Sequence, residues 1–79
     1  MRRTDVVVRP DGLIAASGHL SSQGADLVRG TADSLRSSGH FRVVVDLRQV
    51  RTADDAGLDI LHQLRRDFAA RGGELVVRA

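Results

Sequence analysis

Arg42-Val43-Val44-Val45-Asp46-Leu47 is the stretch on which the fold turns. A strand with one wet face alternates apolar and polar residues, whereas three valines in a row call for burial on both faces, as in a central parallel strand. Downstream, Gly57, Ile60, Leu61, Leu64 and Phe68 line one face of a helix, with Asp59, Arg65, Arg66 and Arg71 mainly toward solvent. Gly72-Gly73 breaks this helix, and Glu74 to Arg78 (Glu-Leu-Val-Val-Arg) reads as a last strand. A strand, a helix and a strand joined by so long a connection form a βαβ unit with parallel strands.

Upstream, Asp5 to Arg9 (Asp-Val-Val-Val-Arg) is a short β-branched run and a strand by propensity. Pro10-Asp11-Gly12 supplies a turn, and Leu13 to Ser17 returns as the second arm of a hairpin that Gly18 is expected to end. Ser21 or Ser22 is placed to cap a first helix, in which Ala25, Val28, Ala32 and Leu35 recur at helical spacing opposite Arg29, Asp33 and Arg36. Gly39 ends that helix. Gly24 and Gly30 weaken it by ~1 kcal/mol each relative to Ala, so packing must hold it. The order ββαβαβ predicts an α/β fold, an α+β sandwich whose mixed sheet carries packed helices, over a single domain spanning 1–79. No repeat or linker interrupts it.

Composition narrows the function. With 79 residues and two aromatics, Phe41 and Phe68, the core must be built from Val, Leu, Ile and Ala, and its net stability is small. All 12 cations are Arg, which excludes a Schiff base and a P-loop lysine. The arginines are spread among ten acids without a basic stripe or stacking aromatics, so nucleic acid is not an expected partner. The absence of Cys removes disulfides, thiol catalysis and thiolate metal sites. No apolar run approaches the ~20 residues of a membrane span, and no signal peptide is evident at the N-terminus, so a cytoplasmic protein without membrane insertion is expected. His19, His40 and His62 share no metal-ligand spacing and read as surface or boundary residues. No serine lies in a nucleophile-elbow pattern. No catalytic residue, metal or cofactor is expected.

The stretch able to carry function is a loop from Arg51 to Leu58, Arg-Thr-Ala-Asp-Asp-Ala-Gly-Leu, between the valine-rich strand and the second helix. Sites in open α/β sheets form beyond the carboxyl ends of strands, where the next helix offers free N–H groups. The Asp54-Asp55 pair admits three readings. One aspartate caps the helix while the other complements its dipole. The pair holds a metal or accepts phosphate, a reading that lacks the further acids and the lysine it needs. Or the loop docks a partner.

From Val43 to Leu61 the sequence resembles the core of STAS domains, the anti-sigma factor antagonists. That family carries a valine-rich strand ending in Asp-Leu, then Asp-Ser-Ser-Gly-Leu or Asp-Ser-Thr-Gly-Leu opening a helix. Asp54, Gly57 and Leu58 match its acid, glycine and leucine, and Gly18-His19-Leu20 and Arg71-Gly72-Gly73-Glu74-Leu75 resemble its flanking turns. The resemblance implies a non-catalytic module that docks an anti-sigma factor, or a related ATPase-fold switch protein, through Thr52, Ala53, Asp54, Asp55, Ala56, Gly57 and Leu58. An alternative within the same resemblance is a subunit bracing a larger assembly, such as a lipid-transport ATPase complex or a stressosome-like scaffold.

Two departures qualify the resemblance. The family's phosphorylated serine is Asp55 here and the next position is Ala56, so the motif has no hydroxyl to phosphorylate. Asp55 supplies one fixed charge where phosphoserine carries ~1.5 to 2. Thr52 matches an apolar slot and is expected to be packed. The sequence also ends where STAS domains continue with further elements. A homodimer formed through the first helix, with its glycines Gly24 and Gly30, is therefore expected.

Overall fold

A computed structural model describes residues 3–79. Its elements are β1 (Thr4–Val8), β2 (Leu13–Leu20), α1 (Ser22–Ser37), β3 (Arg42–Ala53), α2 (Asp55–Ala70) and β4 (Glu74–Arg78). They form one four-stranded sheet in the order β1-β2-β3-β4. β1 and β2 make the antiparallel hairpin, closed at its turn by Arg9 N–H donating to the Leu13 carbonyl at 2.8 Å. β3 runs parallel to both β2 and β4. The expected mixed α/β sheet is thus present.

Both helices lie on one face of the sheet and share a single core. Ile14, Leu20, Ala25, Val28, Ala32, Val43, Val45, Leu61, Leu64, Phe68 and Leu75 are its buried members. Val44, which strand alternation turns to the face away from the helices, is nonetheless only 8% exposed, so all three valines of the central strand are buried. Phe68 fills the core, while Phe41 stands in solvent.

Two strands run further than the sequence pattern predicts. β3 does not stop at Leu47 but continues through Ala53, and β2 passes Gly18 to reach Leu20. The cause is a pair of irregularities against β2, one between Ala15 and Ser17 and one between Gly18 and His19. Ala15 pairs with Asp46 but Ser17 with Gln49; Gly18 pairs with Val50 but His19 with Thr52. Each step inserts one extra β3 residue, the arrangement of a β-bulge, and so breaks the period on which strand recognition rests. Gly18 takes φ 84° beside the second irregularity instead of ending the strand.

α1 begins at Ser21, whose hydroxyl accepts the Gly24 N–H at 3.0 Å. Gly24 is buried because β1 crosses it closely: a Cβ there would overlap the side chain of Thr4. The expectation that Gly24 and Gly30 together admit a second copy therefore fails at Gly24, whose open side Thr4 already fills. Gly30 faces free space. These two glycines should respond in opposite directions to alanine. Gly30→Ala is expected to stabilise the chain by ~0.5–1 kcal/mol through helix propensity. Gly24→Ala should destabilise it by ~1–3 kcal/mol through overpacking. Urea unfolding of the two variants checks this.

Candidate functional site

The residues expected to form a loop belong to regular structure. Thr52 and Ala53 are the last residues of β3, Asp54 occupies the N-cap position of α2, and Asp55 to Leu58 make that helix's first turn. No separate loop intervenes, because the two extra residues of β3 carry the strand up to the helix.

His19 of β2 joins this segment, although its place in the sequence marks it only as a strand-end residue. The second irregularity puts His19 directly opposite Thr52. Its Nδ1 lies 2.7 Å from Thr52 Oγ1, and its Nε2 lies 3.1 Å from Asp54 Oδ1. In the neutral ring, Nε2–H donates to the carboxylate and Nδ1 accepts the threonine hydroxyl proton. The imidazole is only 12% exposed, against 55% for the Asp54 side chain. A largely buried ring thus ties the end of β3 to the start of α2. Thr52, expected to be packed, is instead exposed and held by this bond.

The same contact settles which part of the capping reading applies. Asp54 has the extended backbone of an N-cap, φ −80° and ψ 146°, yet its side chain makes no capping bond. It is directed to His19 instead. Asp55, in the first turn, complements the helix dipole with its charge. Gly57 is buried because a Cβ there would stand 3.0 Å from the carbonyl oxygens of both Leu20 and Ser21. Among the motif residues, Ala53, Asp54, Asp55, Ala56 and Leu58 are exposed, Leu58 at 37%. No group of three or more metal-ligating side chains converges among the described residues. The grooves beside β4 and beside the start of α1 are not lined by His19, Thr52 or Asp54.

Asp46 fixes the first irregularity. Its Oδ1 accepts the Arg48 backbone N–H at 2.9 Å, and its two oxygens take the Arg48 guanidinium at 2.7–3.2 Å. These bonds from the Arg48 side chain and then its backbone hold the Asp46 carboxyl down from 3.8 to about 2, and they raise the Arg48 guanidinium in turn.

A sequence profile of the family described as "Mlab, STAS domain" matches residues 8–79. The chain belongs to this family. A search of curated proteins gave no match to this STAS domain. Its fold recurs in solved structures. Mglu superposes on 95% of the chain with a TM-score of 0.70 at 23% identity, although the chain spans only 19% of Mglu. The Bacillus anti-sigma factor antagonist SpoIIAA, in its unphosphorylated form, superposes on 95% with a TM-score of 0.68 at 10% identity, and the chain spans 71% of it. An antisigma-factor antagonist STAS domain from Rhodobacter sphaeroides covers 96% with a TM-score of 0.58 at 17% identity, with 84% of that chain spanned. At these identities the likeness establishes the fold.

Two outcomes test the site's construction. His19→Ala should cost ~1–2 kcal/mol, part of it offset as Asp54 becomes free to cap α2. A double-mutant cycle with Asp54→Ala, read by denaturant unfolding, should show coupling of ~0.5–1.5 kcal/mol. For Asp46, whose folded value lies below its ordinary one, the stabilisation is complete above pH 4 or so and declines as pH falls toward 2. In Arg48→Ala, NMR titration should find the Asp46 carboxyl back near 3.8, and that acid-linked loss should vanish.

Proposed function

We propose that this STAS domain is a non-catalytic regulatory module that binds a protein partner through Thr52 to Leu58. The observation that carries the reading is the contrast within the motif. Gly57 is buried against the Leu20–Ser21 backbone while Ala53, Asp54, Asp55, Ala56 and Leu58 face outward around it. Small and apolar side chains next to two carboxylates, on a strand end and a helix start braced by His19, give a pre-organised patch that binds without paying much ordering entropy. The partner that fits the family resemblance is an anti-sigma factor or related ATPase-fold switch protein, acting in the cytoplasm.

The interaction is not switched by phosphorylation within the motif. Asp55 and Ala56 stand where a hydroxyl would be needed, and Asp55 presents a permanent charge at the first turn of α2. That fixed acid also favours a second reading. A domain whose surface state cannot be toggled suits constitutive bracing of a multi-subunit assembly, such as a lipid-transport ATPase complex or a stressosome-like scaffold.

Incubation with a cognate kinase-type anti-sigma factor and ATP should leave residues 52–58 unmodified in intact-mass and peptide mass spectrometry. The Asp55→Ser variant should gain one phosphate at that position. Phosphate on Thr52 of the unaltered chain overturns the proposal that the motif is not switchable.

A further inference from the structure

We infer that the outward face of α2 binds a second copy of this chain, in an antiparallel two-fold arrangement that sets Asp59 of each chain against Arg66 of the other. α2 buries Gly57, Leu61, Leu64 and Phe68. With 3.6 residues per turn, the side of the helix opposite those positions carries Asp55, Asp59, His62, Gln63, Arg66 and Ala70. Every one of them is exposed.

The two helices treat their charges differently. On α1 an acid has an arginine one turn on, Asp26 with Arg29 at 2.7 Å and Asp33 with Arg36 at 3.9 Å. On the outward stripe of α2 the acids stand in the first half and the arginine in the second. Asp55 and Asp59 are four residues apart, a like-charge spacing that destabilises a helix left to itself. Among the described residues, Asp55, Asp59 and Arg66 make no ion pair. Asp59 and Arg66 lie about 10 Å apart along the axis, beyond the spacing at which side chains of one helix meet. Asp67, on the flank, takes the Gln63 amide at 3.2 Å.

This segregation is self-complementary. Asp59 and Arg66 stand symmetrically about the midpoint between His62 and Gln63, and so do Asp55 and Ala70. A two-fold axis at that midpoint brings two copies of α2 together antiparallel, with the Asp59–Arg66 contact made twice and Asp55 beside the uncharged Ala70. Interfaces of this symmetry need one surface to match itself. Antiparallel helices also lay opposite dipole ends side by side. A partner of one charge sign, such as a nucleic acid or an anionic membrane, would be repelled by half of the stripe. Exposed ion pairs contribute little singly, so the pairing is reversible and weakened by salt. The stripe shares only Asp55 with the Thr52–Leu58 patch, and the inference does not rest on that patch docking a partner.

Sedimentation equilibrium of the 79-residue chain reads the association. At low salt the mass should climb from one chain toward two with concentration, and raising salt from about 0.05 M to about 0.5 M should weaken the pairing several-fold. Asp59→Arg and Arg66→Glu each alter two contacts per dimer, and each alone should weaken self-association by about ten-fold or more. Mixed in equal amounts, the two variants should pair with each other at least as tightly as the unaltered chain pairs with itself, because every crossing contact again joins opposite charges. Should either variant not fold, a nitroxide at Ala70→Cys reads the same arrangement, since the chain has no cysteine of its own. In an equal mixture with isotope-labelled chain, it should broaden the amides around Asp55 of the labelled copy. A chain that stays monomeric at several hundred micromolar in low salt overturns the inference. So does a dimer indifferent to both substitutions, a mixture of the variants that gains no affinity, or broadening confined to residues outside α2.

Discussion

The close approach of α2 to the Leu20–Ser21 backbone constrains everything at the carboxyl end of the sheet. The Leu20 carbonyl accepts the Asp54 N–H at 2.9 Å, the Ser21 carbonyl accepts the Ala25 N–H at 2.9 Å, and both oxygens lie against Gly57. One short piece of chain therefore ends β2, starts α1 and seats α2. Thr4 adds a fourth element, since its hydroxyl donates to the His19 carbonyl and its oxygen receives the Ser21 N–H at 3.4 Å. The cost of leaving any of these buried backbone groups unpaired exceeds the worth of one ordinary hydrogen bond. Small residues at Gly24 and Gly57 are what let the four elements converge.

That convergence explains how a core with a single buried aromatic holds its shape. Val, Leu, Ile and Ala fill the space between the helices and the sheet, with Phe68 the largest fully buried side chain. The arginines lie outside it. Those on α1 form short-range pairs, Asp26 with Arg29 at 2.7 Å and Asp33 with Arg36 at 3.9 Å, of the exposed kind that contribute little. The Asp46–Arg48 pair differs from these, because its carboxylate is 14% exposed and also satisfies a backbone N–H freed by the irregular strand.

Much of the architecture was legible in the sequence because its signals are local. The β-branched runs at Val6–Val8 and Val43–Val45, the Pro10-Asp11-Gly12 turn and the spacing of Leu61, Leu64 and Phe68 each speak for themselves. The motif's position was legible too, through Asp54, Gly57 and Leu58. What escaped is non-local. Nothing between Leu47 and Ala53 alternates as a strand should, since the two extra residues disturb the pattern, so half of β3 read as loop. His19 gained its partners through register alone. A histidine beside a glycine carries no mark of a threonine and an aspartate more than thirty positions away. Which aspartate of the Asp54-Asp55 pair does what stayed open for the same reason, because a residue at the cap position with a competing partner on another strand looks no different in sequence.

The doubled irregularity of β3 has an arithmetic consequence. From Ala15 to His19 the chain advances four positions, while its partner advances six from Asp46 to Thr52. The two surplus residues are a reserve of length. Without them His19 would stand opposite Val50, which offers the imidazole no group to bond. A deletion between Asp46 and Thr52 would be absorbed by removing one irregularity, leaving Thr52 opposite His19, whereas a third lost residue would have no irregularity left to absorb it.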